Sequence, residues 1–191
     1  MIFLREETLI VMALPQESNG RLEALGCRLI YTGVGKVNAA IGLAKELGTH
    51  NYRQVINVGS AGSHTLPVLQ LVQCTRFVQH DMNVQAFGYA PYQTPQESVI
   101  ALEPATWKTG LDQHTLYTGD AFVERADLGY PVIDMEGYAL AKTCQTFQLP
   151  FLCLKFISDN ANEKAALSWE ASLEHGAQLA TQFLGDYFSK S

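Results

Sequence analysis

Runs of apolar, β-branched residues alternate along the chain with stretches whose apolar residues recur at helical spacing. The runs that predict strands are Thr8 to Leu14, Arg28 to Tyr31, Gln54 to Val58, Leu69 to Val78 and Pro150 to Ile157. Helical spacing extends from Lys36 to Leu47, from Met135 to Phe147 and from Leu167 to Phe188. This alternation predicts a single α/β domain over residues 1–191, with a central mixed, mostly parallel, twisted sheet flanked by helices.

Polar and acidic residues follow four of the predicted strands. Glu17 follows the first run, Ser60 the third, Glu136 the short run Val132-Ile-Asp134, and Asp159 the last. In parallel α/β sheets, ligands bind beyond the carboxyl ends of the strands. Each residue alone is explained equally well as a turn residue or a helix cap. Acids that converge from separate segments nevertheless indicate a functional site.

Two further segments have no periodic pattern and predict loops. The stretch from Gln79 to Ser98 is rich in Gln, Tyr, Pro and Asn, and long loops in compact domains often form lids or binding walls. Gly33-Val-Gly35-Lys36 stands between a strand and a helix, where backbone amides can cradle an anion. It lacks the Gly-Lys-Ser/Thr ending of a phosphate loop, so a tight turn is the favoured interpretation.

Charge and cysteine usage exclude several classes of protein. The 191 residues carry a net charge of −6 and no cluster of basic residues, which argues against binding to nucleic acid. No apolar run approaches the roughly 20 residues of a membrane-spanning helix, and acids follow Arg5 where a secretory signal requires an apolar stretch. The four cysteines are scattered without metal-ligand spacing. We therefore expect a cytoplasmic protein with no metal site and no membrane partner.

Seven stretches, taken together and in order, resemble the nucleoside phosphorylase and nucleosidase superfamily, and specifically its methylthioadenosine/S-adenosylhomocysteine nucleosidase branch. They are Ala13-Leu-Pro-Gln-Glu17, Gly33-Val-Gly-Lys-Val-Asn-Ala-Ala40, Asn57-Val-Gly-Ser-Ala-Gly62, His80-Asp-Met-Asn-Val-Gln-Ala-Phe-Gly-Tyr89, Thr118-Gly-Asp-Ala-Phe-Val123, Asp134-Met-Glu136 and Ile157-Ser-Asp-Asn-Ala-Asn162. Seven ordered motifs are more specific than any one of them. The resemblance implies cleavage of the N-glycosidic bond of a purine nucleoside, without a metal or an organic cofactor.

The resemblance also implies which residues carry out the reaction. Asp159 matches the general acid that delivers a proton to N7 of the purine, because a purine anion is a poor leaving group. Ser158 stands beside it to orient the carboxyl group. Glu17 matches the residue that holds and deprotonates the attacking water. This arrangement follows the two-carboxylate logic of inverting glycoside hydrolysis, applied to an N-glycoside.

Other matching residues are expected to bind the substrate. Glu136 matches the carboxylate that binds the ribose diol, and Met135 matches the residue that packs against the sugar. Phe122 and Val123 match the segment that stacks on the purine and reads its edge, and Ser60 matches the small residue near the base pocket. Together they would fix the ribose between the acid and the base.

The wall that receives the 5′ substituent is expected to come partly from a neighbouring subunit, so the resemblance implies a homodimer. Phe87 in the long loop resembles that contribution. Trp169 falls where the family places an aromatic lid, although a helix-start residue that covers the core explains it equally well. An apolar wall suits methylthioadenosine, and the acids are also compatible with futalosine, adenosine or inosine.

The residue at one position in particular favours hydrolysis over phosphorolysis. Phosphorylases hold phosphate with arginines, and the hexameric type carries one just before the Val-Gly-Ser turn, where this chain has Asn57. Arg21, a few residues after Glu17, keeps a purine nucleoside phosphorylase open as an alternative. A futalosine hydrolase and a nucleoside-binding protein without catalytic activity are the remaining alternatives.

Overall fold

Eight strands and four helices make up the part of the chain that the computed structural model describes, residues 4–123, 128–162 and 165–189. The strands are β1 (Thr8–Met12), β2 (Arg28–Tyr31), β3 (Gln54–Gly62), β4 (Leu71–Gln79), β5 (Ala101–Leu102), β6 (Gln113–Thr118), β7 (Val132–Asp134) and β8 (Phe151–Asp159). The helices are α1 (Pro15–Ser18), α2 (Lys36–Leu47), α3 (Gly137–Thr146) and α4 (Ala165–Ser189). The chain is thus a single-domain α/β fold, as the alternating pattern predicts.

The strands form one mixed sheet that closes on itself at its centre. Their order is β2-β1-β3-β7-β6-β4-β5, and β8 pairs with both β3 and β4. The second pairing of β8 joins β3, β7, β6, β4 and β8 into a ring. Most neighbours are parallel, whereas β3 with β7, β4 with β5 and β4 with β8 are antiparallel. The mixed, mostly parallel sheet was predicted, but its closure was not.

Two apolar layers cover the sheet. Side chains alternate along β1, so that Leu9 and Val11 face one layer and Ile10 and Met12 face the other. The first layer includes apolar residues of α2 and α3, and the second includes those of α4. Strand β8 is buried along its whole length. The strands that carry the polar residues at their ends are therefore packed between two apolar layers.

The boundaries of β3 and β8 differ from the sequence prediction in a way that matters for the site. Each strand extends beyond its apolar run, β3 as far as Gly62 and β8 as far as Asp159. Parallel pairing between them continues through these small and polar residues, with Ser60 opposite Phe156. The predicted site residues on β3 and β8 are therefore held by the sheet rather than by loops.

The remaining predictions are mostly confirmed. The helix over 36–47 has the predicted bounds, and the segment from 80 to 98 is irregular apart from one short turn at Gln85–Phe87. Strands β5 and β6 were missed, because β5 is only two residues long and β6 is rich in polar residues. Across residues 4–123, 128–162 and 165–189, no helix has the length and apolar character needed to cross a bilayer.

Candidate active site

A cavity of about 260 Å³ opens where β1, β3, β7 and β8 end. This volume lies just below the range of about 300–1,000 Å³ that is typical of small-ligand sites. Nine of the ten residues predicted for the site line it: Glu17, Ser60, Phe122, Val123, Met135, Glu136, Ser158, Asp159 and Trp169. The structure thus brings together residues that are separated by up to 152 positions in sequence, from 17 to 169.

Phe87 is the tenth predicted residue, and it does not line the cavity of its own chain. It lies in the short turn Gln85–Phe87 of the long loop, and 80% of its surface is exposed. The exposure of one aromatic ring does not by itself indicate a partner. Its predicted role across a subunit boundary therefore stays a prediction.

Glu17 enters the cavity from helix α1, which follows β1 directly. Its carboxylate is buried and accepts three hydrogen bonds. Oε1 accepts from the Ser60 amide at 2.8 Å and from the Ser60 hydroxyl at 2.7 Å, and Oε2 accepts from the Leu14 amide at 3.1 Å. Three donors satisfy the carboxylate form and fix its orientation. The side chain is thus preorganised before any substrate binds.

Asp159 ends β8 and is also buried and fixed by its neighbours. The Ser158 hydroxyl donates to Oδ2 at 2.7 Å, and the Ala161 amide donates to Oδ1 at 2.8 Å. A Cβ atom at Gly62 would lie 2.9 Å from Oδ1, closer than such contacts allow. The glycine at the end of β3 therefore makes room for this carboxyl group.

Glu136 precedes α3 and reaches the start of α2. The Gly35 amide donates to its Oε1 at 2.9 Å, and Gly35 has a φ of 94° that favours glycine. The next amide, that of Lys36, donates to Asp120 Oδ1 at 2.8 Å. The glycine turn is thus a tight turn, as favoured from the sequence, and its amides bind carboxylates of this same chain.

The ionisation of Glu136 is perturbed by its surroundings. Burial raises its pKa to about 7, and the negative charge of Asp134 acts in the same direction. The cation of Lys155 and the hydrogen bond from the Gly35 amide oppose that shift. Near neutral pH, Glu136 is therefore expected to be a mixture of its protonated and ionised forms.

Lys155 is the residue of this region that the sequence analysis missed. It lies in the middle of β8, is fully buried, and places Nζ 2.9 Å from Asp134 Oδ2. Asp134 also accepts hydrogen bonds from the Thr118 hydroxyl at 2.6 Å and the Gly137 amide at 2.8 Å. Burial alone lowers the pKa of Lys155, but the negative charges around it, first that of Asp134, raise it above its ordinary value.

The ammonium of Lys155 lies beneath the cavity, close to β3. A Cβ atom on Gly59 would be 3.0 Å from Lys155 Nζ and 3.5 Å from Glu17 Oε1. One point on β3 therefore faces both the cation and the carboxylate of Glu17. The sequence signal for Lys155 was its position as a lone lysine in an otherwise apolar strand. A buried ammonium requires a partner, so such a lysine indicates a buried acid nearby.

Comparison with known proteins places the chain in a family. Residues 18–189 match the family model described as Phosphorylase superfamily. The 5′-methylthioadenosine/S-adenosylhomocysteine nucleosidase of Geobacillus kaustophilus is 35% identical, in an alignment that covers 94% of this chain and 87% of that protein. The chain belongs to the 5′-methylthioadenosine/S-adenosylhomocysteine nucleosidase family.

Solved structures share the fold of this chain. The nucleosidase of the same name from Helicobacter pylori, with butyl-thio-DADMe-Immucillin-A, aligns with a TM-score of 0.88 at 24% identity over 99% of this chain and 100% of that one. A futalosine hydrolase from Helicobacter pylori also aligns with a TM-score of 0.88, at 24% identity over 98% and 99% of the two chains. At this identity the likeness shows the fold.

Two positions bear on the choice between a nucleosidase and a phosphorylase of the superfamily. Asn57 is a buried residue of β3 and donates from Nδ2 to the Val11 carbonyl at 3.0 Å. Arg21 points toward α4, where its Nη2 lies 3.1 Å from Glu174 Oε1. Neither lines the cavity, and within the described residues its lining contains no arginine or lysine. The described walls thus offer carboxylates and no cationic side chain for a phosphate dianion.

Proposed function

We propose that this chain hydrolyses the N-glycosidic bond of an adenine nucleoside, such as 5′-methylthioadenosine or S-adenosylhomocysteine, to release adenine and the ribose derivative. One observation carries the proposal: the carboxyl side chains of Glu17, Glu136 and Asp159 line one cavity whose described walls hold no cationic side chain. Such a site repels a phosphate nucleophile and accepts water. Membership of the nucleosidase family supports the same reaction.

Asp159 is the general acid of the proposed reaction. Its proton passes to N7 of the adenine as the glycosidic bond breaks, so that the base leaves in neutral form. Ser158 and the Ala161 amide hold the carboxyl group through one hydrogen bond to each oxygen. Fixing the acid in this way saves the cost of orienting it during bond cleavage.

Glu17 activates the water that attacks the ribose. As the adenine leaves, the sugar acquires oxocarbenium character and requires a nucleophile on its opposite face. The hydrogen bonds from Ser60 and Leu14 orient the Glu17 side chain to accept a proton from that water. Its burial limits competing contacts with bulk solvent.

The remaining lining residues bind the substrate in this proposal. Glu136 accepts hydrogen bonds from the ribose diol, and Met135 packs against the sugar. Phe122 and Val123 contact the purine, and Trp169 closes the side that receives the 5′ substituent. The small cavity and the bulk of Trp169 favour the short apolar group of methylthioadenosine over longer polar 5′ groups.

A panel of nucleosides tests the proposal. The chain is incubated with methylthioadenosine, S-adenosylhomocysteine, futalosine, adenosine and inosine, and free base is measured by chromatography. We expect base release with methylthioadenosine as the substrate of highest kcat/KM. Highest kcat/KM for futalosine would assign the chain to futalosine hydrolysis, and tight binding without base release would show a nucleoside-binding protein.

The pH dependence of the reaction is expected to report Glu136. Its pKa of about 7 means that the carboxylate, the form that accepts both diol protons, increases as the pH rises through 7. Because kcat/KM reports ionisation in the free enzyme, it should rise with pH over that range. Glu136→Gln should lower kcat/KM and abolish this rise. A variant that keeps the wild-type rise would show that another group titrates there.

We also propose that the chain acts as a homodimer in the cytoplasm. Val37 and Ile41 lie one turn apart on α2 and are 67% and 63% exposed, which is unusual for β-branched side chains. The ion pair between Lys36 and Asp81 ties this helix to the long loop that carries Phe87. A two-fold contact through these elements would cover the apolar residues of both copies.

The four free thiols of the chain support the proposed location, because free thiols suit a reducing compartment such as the cytoplasm.

A charge on α2 is expected to break this dimer. Ile41→Asp buries an unpaired carboxylate in the proposed contact, so sedimentation equilibrium should show a monomer at concentrations where the wild type is dimeric. KM for methylthioadenosine should rise as well, because Phe87 of the other copy is lost. Gln182→Asp on exposed α4 is the matched control and should leave the dimer intact. A dimeric Ile41→Asp variant would place the interface elsewhere.

A further inference from the structure

A chain of hydrogen bonds connects the start of α4 to the carboxylate of Glu17. The indole N–H of Trp169 donates to the Ser60 hydroxyl oxygen at 2.8 Å. That hydroxyl donates to Glu17 Oε1 at 2.7 Å, and the Ser60 amide donates to the same oxygen at 2.8 Å. Trp169 therefore does more than line the cavity. Its indole N–H, the one polar group of its side chain, donates to Ser60, which in turn is hydrogen-bonded to Glu17.

The donor inventory fixes the direction of this chain. An indole nitrogen only donates, whereas a hydroxyl has one proton to give and lone pairs that accept. When Trp169 donates to the Ser60 oxygen, that oxygen is the acceptor of the first bond. Glu17, as a carboxylate, only accepts. The single proton of Ser60 is therefore directed to Glu17 Oε1.

This arrangement distinguishes the two oxygens of Glu17. Each carboxylate oxygen has about two lone-pair sites. Both sites of Oε1 are used by Ser60, whereas Oε2 receives, among the residues that the structure describes, the Leu14 amide alone, at 3.1 Å. Oε2 is consequently the oxygen with a free site for a water proton.

We propose that Trp169 is a positioning residue for the reaction, which acts through Ser60 to leave Glu17 Oε2 as the oxygen that accepts the proton of the attacking water. The inference rests on the proposed function and extends it. Without the indole N–H, the Ser60 hydroxyl oxygen has a lone pair free to accept a proton from the attacking water, in competition with Glu17 Oε2. The water would then be held in competing orientations.

Kinetics of Trp169→Phe test this role, because phenylalanine keeps an aromatic ring and removes the donor. We expect kcat for methylthioadenosine to fall about fivefold, the effect of one neutral hydrogen bond, with KM changed by less than about twofold. In a Ser60→Ala background, the same substitution should have no further effect on kcat. Trp107→Phe is the matched control, since Trp107 stacks on Tyr187 and does not line the cavity.

Nitrogen-15 NMR of the two indole groups tests the hydrogen bond without requiring any turnover. Trp169→Phe identifies the Trp169 signal, and Ser60→Ala should then shift that signal while leaving the Trp107 signal in place. An unshifted Trp169 signal, or an equal loss of kcat from Trp169→Phe with and without Ser60, would overturn the inference. Absence of nucleoside cleavage by the wild type would instead reject the proposed function, and the NMR result would still decide whether Trp169 holds Ser60.

Discussion

Asp159→Asn is expected to lower kcat for adenine release by about 10²–10⁴-fold, the usual contribution of a general acid. The amide has nearly the shape of the carboxyl group but has no acidic proton to transfer to N7. Its oxygen still accepts from the Ala161 amide, and the Ser158 hydroxyl can donate to the Ala61 carbonyl, 3.2 Å away. The measurement is steady-state release of adenine from methylthioadenosine.

Stability and binding measurements separate this loss from a general defect. Asp159→Asn should unfold at nearly the wild-type temperature and should still bind methylthioadenosine. Asp186→Asn, which makes the same change at an exposed site on α4, should keep full activity. A wild-type kcat in the Asp159→Asn variant would reject Asp159 as the general acid.

Lys155→Met is expected to destabilise the fold by about 3–5 kcal/mol, because it leaves Asp134 buried without its cation. The distance of 2.9 Å between Lys155 Nζ and Asp134 Oδ2, with both side chains almost fully buried, makes this pair unusually sensitive to the loss of one partner. Methionine has a similar length and creates no large void. Urea unfolding monitored by circular dichroism measures the change.

A double-mutant cycle isolates the ion pair. Asp134→Asn should also destabilise the fold, because it leaves the ammonium buried without its counter-ion. The double variant should lose clearly less than the sum of the two single losses, since it contains no unpaired buried charge. Additive losses would show that Lys155 and Asp134 act separately.

Much of the site could be predicted because it follows from the topology. Parallel strands end at one edge of a sheet, so Ser60 and Asp159, which follow two predicted strands, were expected at the same edge. The pairing of β3 with β8 brings them close together. Glu17 was predictable for the same reason, since α1 follows β1 directly. The roles of these residues came from the resemblance to a family, which spacing alone does not supply.

Other features depend on contacts that no local pattern reveals. Strand β8 is apolar on both sides, and nothing in its own sequence shows that it pairs with β3 on one side and β4 on the other. Lys155 breaks that apolar run, but its partner Asp134 is 21 positions away and is identified only when β7 and β8 converge. Likewise, the sequence around Gly35 does not show which anion its amide binds. The structure shows that it is the side chain of Glu136.

The chemistry of Trp169 was hidden for a similar reason. Its position near the start of the last helix is equally compatible with covering the core and with closing a site. Its place in the cavity lining and the distance of 2.8 Å from its Nε1 to the Ser60 oxygen decide between those interpretations. A hydrogen bond between residues 109 positions apart cannot be read from either segment alone.

Hydrolysis by water is the central claim, and isotope labelling tests it most directly. The wild type is given methylthioadenosine in phosphate-free buffer containing H₂¹⁸O, and the released sugar is analysed by mass spectrometry before the label exchanges with solvent. The account predicts adenine together with a free sugar that carries one ¹⁸O atom, at a rate that added phosphate does not increase. Adenine release that requires phosphate and yields a sugar 1-phosphate would contradict it.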